Sequence, residues 1–396
     1  MAEKFLIMKD TLTSIADGFR SSRGLTEEIS PARMAELAAE NVGGGGFPNG
    51  TEWALIDVQN INPDEVIYND GLFVVGAGNG IYYSADGKTW TQSNIVDRPI
   101  NTIYRQKYWY AVANQGGILL KSEDGRTWEE TDLPVFTHMV KAGGIFVGCG
   151  LYCDGVYYSE DGDTWLQSNL NTSSTSRVYY VDGVWFVSYE NDVYYSLDGK
   201  EWEVSDALDK SPNFFLRNEG LFVFGTNNYG LYYSTDGKTW TQSNVTNAGF
   251  NGVVFEDGIW VGYTYNKGLF YSTDGKTWTQ SNVGDKNISF VSHHNSIWVA
   301  GGNRSGLLYS ADGKTWTQSN IVDVTSVMVD YYAGVWVACL TMASENGLYY
   351  SIDGKEWFES NDGAEYSNFT MHTEAGHRIA HGGMNLYYST TWEPTA

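Results

Sequence analysis

Residues 213–244 read NFFLRNEGLFVFGTNNYGLYYSTDGKTWTQSN, and the organisation of the whole chain follows from this stretch. Four short runs rich in Phe, Val, Tyr, Trp and Thr are separated by Gly, Asn and Asp, the punctuation of turns between strands. The strands are a (NFFLR), b (LFVFG), c (GLYYS) and d (KTWTQ). The segment Ser-x-Asp-Gly-x-x-Trp joining c to d has the chemistry of a tight turn. The carboxylate can accept backbone N–H bonds, Gly takes the positive φ that other residues resist, and Ser adds a second local bond. The Trp returning on d can bury its ring between sheets and set its N–H on a carbonyl.

The same box, ending in [Thr/Glu]-Trp, begins at Ser84, Ser122, Ser159, Ser196, Ser234, Ser272, Ser310 and Ser351, at spacings of 38, 37, 37, 38, 38, 38 and 41 residues. It assigns structural turns to Asp86 and Trp90, Asp124 and Trp128, Asp161 and Trp165, Asp198 and Trp202, Asp236 and Trp240, Asp274 and Trp278, Asp312 and Trp316, and Asp353 and Trp357. DGKTWTQSN is letter-perfect at Asp86, Asp236, Asp274 and Asp312, the mark of duplication within the gene. No helical period appears after residue 46, and a period near 38 with four strands per unit specifies an all-β chain folded as a β-propeller of four-stranded blades. Units a-b-c can be read nine times. The last ends on Ser389-Thr390-Thr391-Trp392, a box without its Asp-Gly, while Trp53 stands early in the chain with no a, b or c strand before it. Nine blades are expected, the ring being closed by the N-terminal strand. Eight is the alternative, with the ninth unit as a cap, because its b strand (HRIAH) is the most polar of the set.

At these residues the chain resembles the Asp-box (BNR) repeats of sialidases, sortilin-type receptors and related propellers, over about residues 47–392. It departs from their S-x-D-x-G-x-T-W pattern by lacking the residue between Asp and Gly, so a turn one residue tighter is expected. The resemblance implies the fold and says little of activity, because in that family the box lies on the face opposite the usual ligand site. A sialidase-like site would need three arginines for the substrate carboxylate, a Tyr–Glu pair and an acid Asp. The repeats hold seven arginines, Arg98, Arg105, Arg126, Arg177, Arg217, Arg304 and Arg378, of which Arg126 belongs to a box turn, and no FRIP-like segment precedes them. The histidines, His293-His294 included, lack HExxH spacing, and no phosphate loop or serine elbow stands out. The chain therefore reads as a binding module, with a glycoside hydrolase acting through carboxylates on different blades as the alternative.

Composition narrows the partners. The formal charge of −24 repels phosphate backbones and disfavours nucleic acid. A mean hydropathy of −0.33, with no apolar run of 18 residues, excludes helical membrane insertion. Three cysteines cannot form a disulfide framework, and Cys149 and Cys153 in CGLYC lack the further ligands of a zinc site, so no cofactor or metal is expected. The start of the chain lacks the run and cleavage site of a signal peptide, so synthesis in a cytoplasm is expected.

Residues 1–42 form a separate segment, joined by a Gly-rich linker (43–48) to the propeller (49–396). Phe5, Met8, Leu12, Ile15 and Phe19 make a narrow apolar stripe on one helix, the seam of an oligomerisation element. Ser30-Pro31 opens a second helix as N-cap and first-turn proline. This segment, DTLTSIADGFRSSRG followed by ISPARMAELAAE, resembles the short N-terminal region of tail proteins from phages and prophages of gut Firmicutes. The resemblance implies a virion protein, a homo-oligomer attached to other tail proteins through residues 1–42, and a structural hub of the particle is a further alternative.

In a propeller the b–c loops and d-to-next-a connections share one face. Here they differ almost everywhere, while the a–b and c–d turns are nearly uniform. A scaffold with one diversified face is a recognition module, and the Asn, Tyr, Ser and Gly of these loops suit adaptable contact. Candidate ligand-binding residues are Asn79, Gln115, Tyr152, Asp154, Tyr189, Asn228, Tyr229, Tyr263, Tyr265, Asn303 and Arg304 from b–c loops, and Phe136, His138, Arg177, Phe250, Asn251 and Tyr366 from d–a connections. The expected ligand is a bacterial surface glycan or protein. Trp109, Trp185, Trp260, Trp298 and Trp336 recur at one position of strand b and are assigned to the core.

Overall fold

A computed structural model describes residues 53–55 and 63–389, apart from 114–116, 151–152, 172–176, 190, 208–209, 333–334, 342–345, 360–368, 375–376 and 383–384. The segment with Phe5, Met8, Leu12, Ile15 and Phe19 lies outside the described residues, as do Gln115, Tyr152 and Tyr366.

The described chain is all-β and folds into nine four-stranded antiparallel sheets. Eight are built from consecutive strands, and we number them blades 1–8: residues 63–96, 100–130, 138–167, 178–204, 212–242, 250–280, 290–318 and 325–359. The ninth combines the two ends of the chain, in the order Trp53–Leu55, Asn385–Ser389, His377–Gly382, Phe369–Glu374. Ala54 stands opposite Tyr388 as Thr91 stands opposite Tyr83, so Trp53 takes in blade 9 the register position that Trp90 takes in blade 1. Strand a is innermost: Pro63–Asn69 packs on Ile100–Arg105, Pro212–Asn218 on Phe250–Glu256, and Thr325–Tyr332 on Phe369–Glu374. Pro63–Asn69 also packs on Phe369–Glu374, which closes the ring.

The core lies between blades. Strand b of blade 5, Leu221–Thr226, is buried at every position, because sheets cover it on both sides. Its Leu221 and Val223 pack with Phe250 and Trp260 of blade 6, while its Phe222 and Phe224 pack with Val184 and Phe186 of blade 4. Burial of each such Phe contributes about 1.5–3 kcal/mol. Trp109, Trp185, Trp260, Trp298 and Trp336 are at most 2% exposed, each in the interface towards the preceding blade.

Strand d differs from the sequence expectation. In blade 5 it is only Thr241–Gln242, so Lys238, Thr239 and Trp240 lie outside the ladder. Their N–H groups are already spent. Those of Lys238 and Thr239 donate to Asp236 Oδ1 at 2.8 and 2.9 Å, and that of Trp240 donates to Asp206 Oδ1 of the preceding blade at 2.8 Å.

Candidate ligand-binding site

The box fixes one face of the ring. In each of the eight boxes the Ser hydroxyl donates to the Asp carboxylate and accepts the Gly N–H, as Ser234 does with Asp236 and Gly237, both at 2.9 Å. Gly237 has φ +74, and a Cβ there would lie 3.0 Å from the Phe186 ring, so the turn takes glycine for both conformation and space. The N–H groups of Thr239 and Lys238 hold the Asp236 carboxyl below its usual range, and Thr277 and Thr315 act likewise on Asp274 and Asp312. The indole N–H of Trp90, Trp128, Trp278, Trp316 and Trp357 donates to the Gly carbonyl of its own box. Those of Trp165, Trp202 and Trp240 are buried without a partner. Lys107, in an a–b turn, donates to the Asp161 carbonyl of a box turn at 2.9 Å and pairs with Asp163, which places a–b turns and boxes on the same side.

The residues after the Trp serve the opposite face and the joints between blades, roles that the sequence reading missed although TQSN repeats letter for letter. Asn244 Oδ1 accepts the Trp278 N–H at 2.8 Å and its Nδ2 donates to the Trp278 carbonyl at 2.9 Å, locking blade 5 to blade 6. Asn94, Asn282 and Asn320 bond Trp128, Trp316 and Trp357 in the same two-way fashion, as does Asn169 with Trp202. The Gln two residues earlier reaches the other way: Nε2 of Gln92, Gln167, Gln242 and Gln280 donates to the carbonyls of Asn79, Asp154, Tyr229 and Lys267 in the b–c loops. The uniform d strand therefore pins the variable loops.

On the variable face a half-open cavity of about 480 Å³ is lined by Asn191, Lys210, Ser211, Asn227, Asn228 and Tyr229. Blade 4 gives Asn191 from its b–c loop, the connection to blade 5 gives Lys210 and Ser211, and the blade 5 b–c loop gives the rest. The backbone is fixed tightly here. The N–H groups of Lys210 and Ser211 both donate to the Asn191 carbonyl, at 2.7 and 3.0 Å. Asn191 and Ser211 hold φ of +77 and +43, a conformation that costs about 1–3 kcal/mol at a non-glycine residue. Gly230 (φ +80) lets the loop turn beside Val245, whose carbonyl oxygen a Cβ would meet at 1.7 Å. The Tyr229 ring is 50% exposed at the rim. Tyr265, 37% exposed, donates its hydroxyl to Asn228 Oδ1 at 3.1 Å and so orients that amide. Among the described residues that line it, none is a carboxylate.

Of the candidate residues, Asn228, Tyr229 and Tyr265 come together here. Asn191, Lys210, Ser211 and Asn227 escaped the sequence reading, which took Tyr189 from the loop of Asn191, Asn228 and Tyr229 from that of Asn227, and nothing from the connection that holds Lys210 and Ser211. Tyr189 is half-buried at the end of blade 4 strand b. Asn79 lies half-buried at its loop, its carbonyl engaged by Gln92 and the Asp97 N–H. Asp154 is exposed, accepting the Tyr157 hydroxyl at 2.5 Å. Asn303 accepts the Thr325 hydroxyl at 3.1 Å beside exposed Arg304. Arg177 is exposed near His138, a half-buried ring whose ionisation is pushed down by burial and then by the Arg177 charge.

Three candidates need correction as contact residues. Phe136 and Phe250 are 0% exposed, and Tyr263 is packed against the blade 6–7 core. Each fills the space above a glycine: Phe136 covers Gly148 and Phe250 covers Gly262, with an added Cβ at 2.8 and 2.7 Å, and the Tyr263 hydroxyl would meet one on Gly252 at 2.2 Å. The Asn251 side chain donates to the Ile288 carbonyl at 2.8 Å, a link to blade 7. Burial pushes the Cys153 thiol up to about 11, so it stays protonated.

No protein-family model matches the chain, and no curated protein sequence does. Among solved structures it is similar to the computationally designed Ika8 protein, at 11% identity and TM-score 0.53, covering 77% of this chain and 100% of that one. It is also similar to Sqt1 of Saccharomyces cerevisiae, at 10% identity and TM-score 0.50, covering 88% and 99%. The GH74 enzyme of Niastella koreensis follows at 15% identity and TM-score 0.40, covering 89% and 70%. At these identities the likeness is one of fold.

Proposed function

We propose that the chain is a binding protein that holds a bacterial cell-surface glycan in the cavity between blades 4 and 5, and that it serves as the receptor-binding part of a phage tail. The observation that carries the binding reading is the cavity of amide, hydroxyl and ammonium groups under an exposed tyrosine, rigidly held on the one face where the repeats diverge. Sugars present hydroxyls to such donors and acceptors and a C–H face to an aromatic ring, and small-ligand sites combine a few placed polar groups with such a platform. The tail assignment rests on the likeness of residues 1–42 to tail proteins; attachment and oligomerisation through that segment, and residence in the virion, belong to the same proposal. A glycan array probed with the intact protein tests the reading. Retained signal, lost at least tenfold in Tyr229→Ala, is the expected result. Loss of immobilised polymer with time would replace binding by hydrolysis, and an unchanged signal in the variant would move the site elsewhere on the face.

A further inference from the structure

The cavity also carries information on the charge of what it holds, an inference that rests on the binding reading and narrows its ligand. The molecule is strongly acidic, at −24, yet among the described lining residues the one that is charged is cationic: Lys210. Its ammonium lies 5.1 Å from the centroid of the Tyr229 ring and 5.8 Å from that of Tyr232. The neighbouring lysine of the same face, Lys267, pairs with Asp285 at 2.6 Å. Among the described lining residues, Lys210 shares the cavity with three side-chain amides and the Ser211 hydroxyl. Because the Lys210 and Ser211 amides are tied to the Asn191 carbonyl, the cation is carried on a preorganised backbone and not on a loose loop.

We propose that this cavity recognises an acidic sugar, one bearing a carboxylate, sulfate or phosphate, with Lys210 as counter-ion and the amides of Asn191, Asn227 and Asn228 as donors to the anion and the neighbouring hydroxyls. Two aromatic faces keep the ammonium partly out of water, which strengthens its attraction for an incoming anion relative to a lysine at an open surface. The acidic remainder of the surface repels anions, so acidic glycans are held here only where the local positive group and the shape of the cavity act together. A glycan fits better than an acidic peptide, because the described lining residues offer amides, a hydroxyl and one ring, and among them no apolar side chain forms a pocket.

The test uses the intact protein on an array carrying acidic glycans beside the same glycans with their carboxyls esterified or their sulfates and phosphates removed. The expected result is retention of the acidic set and at least tenfold weaker retention of the neutralised set. Lys210→Gln should weaken the acidic set by about the same factor, Lys210→Arg should restore most of it, and binding should fall as salt is raised from 50 to 500 mM. Equal retention of acidic and neutralised glycans, or an unchanged signal in Lys210→Gln, overturns the charge assignment while the binding reading stands. No glycan retained by the wild type overturns both. Retention of acidic peptides in place of glycans would overturn the ligand class.

Discussion

At the residue scale, two side chains per repeat carry most of the specificity of the fold. The Asn four residues after Trp90, Trp165, Trp240, Trp278 and Trp316 makes a two-way amide bridge to the next blade, as Asn244 does with Trp278. Removing a partner from such a part-buried pair leaves a donor and an acceptor unmet, at about 1–3 kcal/mol. Asn244→Ala should therefore lower the unfolding free energy by that amount in denaturant titration, while Asn244→Asp, which keeps the acceptor as Asp206 does for Trp240, should lose less. The box carboxylates set the acid limit. Asp236, Asp274 and Asp312 titrate below their unfolded value of 3.8 because folded N–H groups hold the charged form. The native state thus binds fewer protons than the unfolded one in this window, and the stabilisation present above about pH 4 is lost as pH falls through the folded values. The melting temperature should drop steeply below pH 4, and less steeply in Asp236→Asn.

At the scale of elements, the sequence was legible where one strand or turn decides its own structure. The four runs of residues 213–244 became four strands, and the Gly of each box took the positive φ assigned to it. What could not be read was anything that depends on a neighbouring blade. Strand d is shorter than KTWTQ because the Trp240 N–H is claimed by Asp206, 34 residues away. Phe136, just before strand a, and Phe250, its first residue, looked like loop residues, yet the bare glycines of IFVGC and WVGYT leave room that these rings fill. Glycine in the middle of a strand pattern was the available signal. The pin from strand d to the b–c loop gives a further prediction. Gln242→Ala removes the bond to the Tyr229 carbonyl, so amides of residues 227–230 should exchange faster with solvent, with global stability changed by less than about 1.5 kcal/mol.

For the whole molecule, nine sheets close without an open edge between first and last blades because the ninth borrows its outer strand, Trp53–Leu55, from the start of the chain. The unpartnered Trp53 and the truncated box at Ser389 foretold that arrangement, since each lacks what the other has. The location of the cavity was not foretold. Variation along the repeats marked a face; what distinguishes the joint of blades 4 and 5 is the cavity framed by Asn191, Lys210 and Tyr229. Deleting residues 1–62, compared with deleting 1–50, should expose the ladder groups of Asn385–Ser389, an edge prone to pairing with other chains. The shortened protein should melt several degrees lower and show concentration-dependent association in sedimentation.

The split box of blade 9 carries one more consequence. In blade 1 five residues, Ala-Asp-Gly-Lys-Thr, bridge Ser84 to Trp90, and Ser389 and Trp53 stand in the same register with the covalent bridge missing. Removing residues 1–52 and 390–396 and joining Ser389 to Trp53 through five such residues would make the polypeptide an endless loop of nine units. New termini could then be opened at any a–b turn, such as Glu219-Gly220, giving a family of circular permutants that differ in where the chain starts and not in what it folds into.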